Sequence, residues 1–278
     1  MSINRTLRLG IGAIAVALVA TACGGGSEAA TTADHIRDGK LTIGIKFDQP
    51  GLGFRETDGS YQGYDVEIAK YVASKLGVRP EGITFTEAPS AQREKMIMNG
   101  EVDFVVATYS ITEERKQKVD FAGPYFVAGQ ALLVKNETTD ITGVESLTGN
   151  KKLCSVKGST PAQYVKDHYA KDVQLVELDN YSQCIEALRR GSVDVVTTDD
   201  IILAGFAGQA SGELKLVGNT FTTEKYGIGL KKGDQETRTK LNDAIEQMIA
   251  DGSWHKAFEQ TIGPLRDSTL TPPAVERY

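Results

Sequence analysis

NGEVDFVVAT (99 to 108) and RGSVDVVTTD (190 to 199) repeat one pattern in the two halves of this 278-residue chain. Both contain the pattern Gly-x-Val-Asp-x-Val, in which x is any residue. The first copy ends in threonine and the second in aspartate. Each copy follows a stretch with the spacing of an amphipathic helix, SAQREKMIM (90 to 98) or YSQCIEALR (181 to 189). Since an apolar run such as VDFVVA indicates a buried strand, each copy predicts a helix followed by a strand.

The same order of elements precedes both copies. Opening strands that end in lysine are predicted at LTIGIK (41 to 46) and KLCSVK (152 to 157). Further helices are predicted at 65 to 76 and 161 to 170, and further strands at 83 to 87 and 173 to 178. Each half therefore reads β-α-β-α-β, which predicts parallel sheet with right-handed crossovers. The alternative is a single doubly wound sheet, but the duplicated lysine and threonine strand ends favour two lobes with a ligand cleft between them.

Two apolar, glycine-bearing strands connect the halves in this prediction. They are FAGPYFVAGQALLVK (121 to 135) and FTTEKYGIGLKKG (221 to 233), and two helices in 235 to 263 would then return to the first lobe. The predicted organisation is a signal peptide at 1 to 22, a flexible tether at 23 to 33, lobe one at 34 to 126 and 226 to 264, lobe two at 127 to 225, and a loosely packed C-terminal tail at 265 to 278.

The N-terminus has the pattern of an export signal. Arg5 and Arg8 precede LGIGAIAVALVA (9 to 20), which has the length of a signal-peptide core and is too short to span a bilayer comfortably. Small residues then lead to Cys23 and to GGGSEAATT, a composition typical of a flexible tether. The whole resembles a bacterial lipoprotein signal, which implies cleavage before Cys23, lipidation of that cysteine with palmitate, and anchoring on the outer face of the cell membrane. An ordinary secretory signal is the alternative.

The remaining cysteines fit an exported protein. If Cys23 carries lipid, Cys154 and Cys184 are left as an even pair in an oxidising compartment. A disulfide between them is predicted, with two buried free thiols as the alternative.

Composition and spacing argue against several other classes of protein. The net charge is −6, and no basic stripe or RNA-binding motif indicates nucleic acid as a partner. His35, His168 and His255 fall outside the predicted strand ends, and no nucleophile with a paired base and no metal-ligand spacing is recognisable. We therefore expect no enzyme, no cofactor and no metal site.

Arg115 raises a question that the local structure does not answer. Thr112 is a natural helix N-cap, and acidic residues at 113 and 114 suit the positive helix end, but an arginine in the first turn opposes the helix dipole. Either this side chain is solvated or an anion lies near it.

Several motifs together resemble a known family, the bacterial extracellular solute-binding proteins of family 3, which serve ABC importers of polar amino acids. The motifs, found within about 34 to 263, are YQGYDVEIA (61 to 69), ATYSITEERKQKVDFAGPY (107 to 125), VKGST (156 to 160), VDVVTTDD (193 to 200) and YGIGLKKG (226 to 233). The resemblance implies an α/β, two-lobed periplasmic-binding-protein fold of type II, with two hinge strands and a discontinuous lobe one. It also implies a monomer that closes on an amino acid, docks on ABC permease subunits and touches the membrane only through its lipid anchor.

The resemblance assigns roles to individual residues. Arg115 is similar to the arginine that binds the ligand's α-carboxylate, and its fork of donors suits that group. Asp199 is similar to the acceptor for the α-ammonium. Further ligand contacts are implied for Thr108, Ser110, Ser159 and Thr160, the last two at a helix N-terminus.

Side-chain specificity is predicted from Lys46, Ser90, Arg93 and Lys157. Ser90 and Arg93 resemble the pair in members that take glutamate or aspartate, and the loop KFDQPGLGF (46 to 54) resembles the DQPGLG form of actinobacterial glutamate binders. Cations beyond Arg115 suit a second carboxylate, so L-glutamate is the predicted ligand, with aspartate as a second acidic candidate. Glutamine or another polar amino acid, or a sensory or enzymatic protein on the same scaffold, remain alternatives.

Overall fold

The two copies of the repeat build two separate sheets. The computed structural model describes residues 30–169, 173–210, 212–265 and 270–278. The strands, in chain order, are β1 (Leu41–Ile45), β2 (Asp48–Gln49), β3 (Gly53–Arg55), β4 (Tyr61–Gln62), β5 (Ile83–Glu87), β6 (Phe104–Val106), β7 (Val119–Ala128), β8 (Gln130–Lys135), β9 (Lys151–Val156), β10 (Val173–Leu178), β11 (Val195–Asp199), β12 (Leu214–Val217) and β13 (Glu224–Lys231). The helices are α1 (Thr32–Arg37), α2 (Tyr64–Lys75), α3 (Arg93–Met98), α4 (Glu113–Lys116), α5 (Thr160–His168), α6 (Tyr181–Arg189), α7 (Asp200–Gln209), α8 (Gln235–Ala250) and α9 (Ser253–Thr261).

The sheets have matching strand orders. Over the described residues, the first sheet runs β5-β1-β6-β13-β7 and the second runs β10-β9-β11-β8-β12. β1 is parallel to β5 and β6, and β9 is parallel to β10 and β11, as the repeated pattern predicts. β13 and β8 are instead antiparallel to their neighbours. Each sheet is therefore mixed rather than purely parallel. The antiparallel strands are those at which the chain changes sheet: β8 follows β7 of the first sheet, and β13 follows β12 of the second.

β7 and β13 connect the two halves, as predicted. β7 lies in the first sheet and leads through Gly129 into β8 of the second, and the chain returns from β12 into β13. The two strands pair side by side from Val119 with Lys231 to Ala128 with Glu224. Because residues 31–278 pack as one compact unit, the lobe limits given above stay predictions.

The last long helices cover the first sheet, as predicted for 235 to 263. Trp254 of α9 is buried, and its indole N–H donates to the Tyr125 carbonyl at 2.7 Å. Its ring stacks on Phe258 and meets Tyr64 of α2 edge-on. These contacts tie α9 to α2 and to strand β7.

Residues 270–278 bind the first half, so the expected loose packing is wrong for this part of the tail. The Glu276 N–H donates to the Gly123 carbonyl at 2.8 Å. The Tyr278 hydroxyl accepts from the Phe121 N–H at 2.8 Å, and Lys116 lies 4.0 Å from its ring centroid. The tail has these partners because β7 is the edge strand of its sheet and leaves backbone groups free.

Cys154 of β9 and Cys184 of α6 form the predicted disulfide, which joins residues 30 apart in sequence. The predicted signal peptide, Cys23 and the tether up to residue 29 lie outside the described residues. No helix in the part of the chain that the structure describes is long and apolar enough to cross a membrane.

Candidate ligand-binding site

The carboxyl ends of β6 and β11 meet at a narrow cavity between the two sheets. From the first half of the chain it is lined by Gln49, Ser90, Arg93, Thr108, Ser110 and Arg115. From the second half it is lined by Ser159, Thr160, Pro161, Tyr181, Thr198, Asp199 and Ile202. All the predicted ligand-binding residues are therefore in its wall except Lys46 and Lys157. A wider groove, which includes Gln130 and Glu224, opens beside it.

Arg115 lies at one end of this cavity with only 8% of its surface exposed. Thr112 caps the single-turn helix α4 by accepting from the Arg115 N–H at 3.2 Å. The guanidinium donates to the Ser110 carbonyl at 2.7 Å and, across the cavity, to the Gly158 carbonyl at 3.0 Å. Its Nε lies 3.4 Å from the carboxylate of Glu94, so an anion is near Arg115, and this ion pair with the two hydrogen bonds offsets the unfavourable helix dipole.

Hydroxyl groups of the second half face Arg115. Ser159 caps α5 by accepting from the Ala162 N–H at 3.2 Å, which places the start of that helix at the cavity. The Thr160 hydroxyl donates to Glu224 at 2.9 Å and lies 3.5 Å from the Ser110 hydroxyl. Arginine and the hydroxyl groups at the start of this helix together form a site suited to a carboxylate.

Asp199 supplies an anion on the same cavity. One carboxylate oxygen accepts from the Tyr226 hydroxyl, while Oδ1 is buried and has no hydrogen-bond partner among the described residues. Burial, and then the nearby charge of Glu224, raise the pKa of Asp199 well above its usual value. A buried carboxylate oxygen without a partner is costly unless a cation or donor completes it, so this position suits an ammonium group.

Lys46 and Arg93 form a basic region at the other side of the cavity. Lys46 lies behind the wall and donates to the Ser90 hydroxyl at 2.7 Å. Burial, and then the charges of Arg93 and Arg115, lower the pKa of Lys46 to about 7. Burial, followed by the charge of Arg115, lowers the pKa of Arg93 to about 10. These cations destabilise one another, and an anion in the cavity would relieve that repulsion.

Arg93 is also held in a fixed orientation. Its guanidinium donates to the Ala107 carbonyl at 3.0 Å and lies 4.1 Å from the centroid of the Tyr109 ring. Its Nε is buried and has no partner in the part of the chain that the structure describes. This donor remains available to a ligand.

Thr108 and Gln49 complete the wall between these groups. Thr108 has a positive φ of 45°, and its N–H donates to the buried Asp65 carboxylate at 2.8 Å. Its hydroxyl lies 2.8 Å from the Ala107 carbonyl and 3.1 Å from Gln49 Oε1, and the buried Gln49 Nε2 has no partner among the described residues. Gln49 is a site residue that the sequence interpretation missed, although it lies inside the DQPGLG loop noted there.

Lys157 is not brought to this cavity. Its side chain is exposed and forms an ion pair with Asp179 at 2.9 Å. Glu224 and Gln130 were missed as well: Gln130 donates to Glu224 at 2.7 Å, and both are buried at the mouth of the groove. No group of three or more metal-ligating side chains occurs among the residues described.

Comparison with known proteins agrees with this architecture. The glutamate-binding protein GluB of Corynebacterium glutamicum is 46% identical over 276 residues, covering 95% of this chain and 93% of that protein. The ABC transporter glutamine-binding protein GlnH of Bacillus subtilis is 37% identical over 224 residues, 80% of this chain and 81% of that protein. A solved structure of an ancestral arginine-binding protein bound to glutamine has a TM-score of 0.76 and 38% identity, and the match covers 81% of this chain and 98% of that chain.

Residues 41–264 match the profile of one family over most of the chain. The two-lobed type II periplasmic-binding-protein fold, with two connecting strands and a discontinuous first lobe, is the architecture that the neighbouring structures share with it. The chain belongs to the bacterial extracellular solute-binding proteins, family 3.

Proposed function

We propose that this protein is the substrate-binding component of an ABC importer and that its ligand is an acidic amino acid, L-glutamate first and L-aspartate second. One observation carries the proposal: buried Arg115 and Arg93, with Lys46 behind Ser90, adjoin a cavity that also holds the unpartnered carboxylate oxygen of Asp199. That arrangement matches an α-carboxylate, a side-chain carboxylate and an α-ammonium. The similarity to a glutamate-binding protein supports the same ligand.

In this proposal each group of the ligand has its own partners. The α-carboxylate is bound by Arg115, by Ser110, and by Ser159 and Thr160 at the start of α5. Asp199 and the backbone near Thr108 bind the α-ammonium. The side-chain carboxylate is bound by Ser90, Arg93 and the amide of Gln49, with the Lys46 ammonium behind Ser90. Lys157 is left out because its side chain pairs with Asp179 on the surface.

Binding couples to closure of the two lobes. Lobe one comprises 34 to 126 and 226 to 264, and lobe two comprises 127 to 225, with β7 and β13 as the hinge. A ligand that contacts Arg115 from one lobe and Asp199 from the other favours the closed state by its differential contacts. The closed monomer would then dock on the permease subunits, and we assign it no catalytic step.

Calorimetry on the purified protein tests the ligand assignment. Glutamate is expected to bind more tightly than glutamine by at least about tenfold, because the amide of glutamine brings no negative charge to Arg93 and Lys46. Arg115→Ala should lose affinity for every amino acid by a factor of about 100 or more, since it removes one partner of a buried ion pair. Arg93→Leu should weaken glutamate far more than glutamine, and Lys157→Ala serves as the surface control. Tight glutamine binding without glutamate binding would reject the assignment in favour of the glutamine alternative.

The location of the protein is part of the proposal. We propose that the chain is cleaved before Cys23 and anchored to the outer face of the membrane by lipid on that cysteine, with palmitate among the acyl chains. Cys23→Ala should move the protein from the membrane fraction to the medium. Wild-type protein found entirely in the medium would favour the ordinary secretory signal instead.

A further inference from the structure

A short segment of the first half, Asp48 to Pro50, lies directly against the second half. Asp48 is only 7% exposed, and its Oδ2 accepts a hydrogen bond from the backbone N–H of Ser182 at 3.0 Å. The Ser182 hydroxyl makes a longer contact of 3.5 Å with the Asp48 carbonyl. The two residues are 134 positions apart, so the contact links distant parts of the chain.

Ser182 lies in the first turn of the nine-residue helix α6, where N–H groups have no partner inside the helix. Asn180 satisfies one of them by accepting from the Gln183 N–H at 3.0 Å. The first turn of α6 contains no acidic residue of its own. Asp48 therefore provides both the missing acceptor and the negative charge that a helix N-terminus favours, and it does so from the opposite half.

The same segment touches α7 and the cavity. A Cβ built on Gly205 of α7 would lie 2.3 Å from the Pro50 carbonyl oxygen, which shows how closely the two halves approach there. Between Asp48 and Pro50 in sequence, Gln49 lines the cavity. The position of α6 is fixed in turn by the disulfide from Cys184 to Cys154 of β9. The side of Asp48 to Pro50 that faces the second half therefore meets two helices, α6 and α7, and α6 is anchored by the disulfide.

We propose that Asp48 is a positioning residue that stabilises the closed arrangement of the two halves by capping α6 across the cleft. The proposal rests on the proposed function in one respect: closure is what an amino acid ligand drives. When the halves separate, water solvates both the Asp48 carboxylate and the Ser182 N–H. When they close, the two groups form a charge-assisted hydrogen bond, so part of the free energy of ligand binding comes from a residue that does not contact the ligand.

The effect of Asp48 on closure must be distinguished from its effect on Lys46. Its charge also acts on Lys46, whose pKa it raises against the stronger effect of burial. If Asp48 acted only through Lys46, its loss would weaken glutamate and leave glutamine binding intact. If it acts on closure, glutamate and glutamine lose affinity by the same factor.

The test compares Asp48→Asn and Asp48→Ala with Asp58→Asn, a control carboxylate in an exposed turn of the same half. Calorimetry with glutamate and with glutamine should show both ligands bound about tenfold more weakly by Asp48→Ala and unchanged by Asp58→Asn. The melting temperature of the ligand-free protein should stay at the wild-type value, while the shift produced by a fixed ligand concentration becomes smaller. Stopped-flow release of ligand should be faster, because the closed state opens more readily.

Three results would overturn the proposal: wild-type affinity in both Asp48 variants, a loss confined to glutamate, or a lower melting temperature of the ligand-free variant with an unchanged ligand shift. Failure of the proposed function looks different, since wild-type protein would then bind no glutamate. In that case the Asp48 comparison is made with glutamine alone, and the glutamine affinity and the melting temperature of the ligand-free variant decide it.

Discussion

Glutamate affinity is predicted to fall as the pH rises through neutrality, because Lys46 is a buried ammonium whose hydrogen-bond partner is the hydroxyl of Ser90. Burial, and then the charge of Arg93, hold its pKa at about 7 without ligand. A bound side-chain carboxylate favours the charged form and raises that pKa. Below pH 7 the free and bound proteins are both protonated at Lys46, so this group adds no pH dependence. Above pH 7 the free protein must take up a proton to bind, and affinity falls until the pKa of the complex is reached.

The size of the effect follows from the pKa. For a free pKa near 7 and a bound pKa above 9, the dissociation constant rises about tenfold between pH 6 and pH 8, about 1.4 kcal/mol. Asp199 acts in the opposite sense at lower pH, because its raised pKa lets the ligand-free carboxyl gain a proton that the ammonium must displace. Affinity should therefore pass through a maximum.

Calorimetry in buffers of different protonation enthalpy measures the protons exchanged on binding. For Lys46 we expect uptake of about 0.9 proton at pH 8 and about 0.1 at pH 6. Lys46→Met keeps the length of the side chain and removes the charge, so the difference between wild type and this variant isolates Lys46 from Asp199. Equal proton uptake by wild type and Lys46→Met at pH 8 would refute the reasoning.

Further predictions concern closure and stability. Gly205→Ala should weaken glutamate binding at least about tenfold, because its methyl group would meet the Pro50 carbonyl in the closed arrangement, while a helical alanine stabilises the ligand-free protein by up to about 1 kcal/mol. Titration measures the loss of affinity and thermal melting measures the gain in stability, and unchanged affinity would contradict the closure argument. Replacing Cys154 and Cys184 by serine should lower the free energy of unfolding by about 3.6 kcal/mol for a separation of 30 residues, as denaturant titration would show. A loss under about 1 kcal/mol would show that the bridge adds little. Tyr278→Ala should cost about 1–2 kcal/mol in a melting experiment, since the hydrogen bond from Phe121 and the contact with Lys116 are lost, whereas Tyr278→Phe should cost about 1 kcal/mol. Wild-type stability of Tyr278→Ala would mean that the tail contacts carry no net free energy.

Much of the fold could be predicted because the pattern is local and appears twice. The parallel units around β1 and β9 follow from apolar runs and helix spacing, and the ends of those runs placed Thr108 and Asp199 near each other. The antiparallel insertion of β8 and β13 could not be read in the same way. It depends on which sheet each connecting strand joins, and an apolar run has the same composition in either direction.

The site residues that were missed share a physical cause. Gln49 belongs to a two-residue strand, too short to show any periodicity, and its role comes from the Thr108 hydroxyl 59 positions away. Asp48 and Glu224 likewise acquire their surroundings only when the two halves meet. Lys157 is the reverse case: it belongs to the VKGST motif, but just past the end of β9 its side chain is exposed and pairs with Asp179.

The low pKa of Lys46 also bears on selectivity between acidic and neutral ligands. Glutamine brings no side-chain anion, so Lys46 can release its proton when glutamine binds, and at pH 7 that release costs less than about 0.5 kcal/mol. At pH 6 the same release costs about 1.4 kcal/mol, whereas glutamate binds the charged form directly. At pH 8 the proton is already absent, and glutamate must restore it. The preference for glutamate over glutamine should therefore be larger at pH 6 than at pH 8, by a factor of about 10 or more, while Arg93 keeps some preference at both. A ratio of the two affinities that does not change between pH 6 and pH 8 would show that Lys46 does not distinguish the carboxylate from the amide.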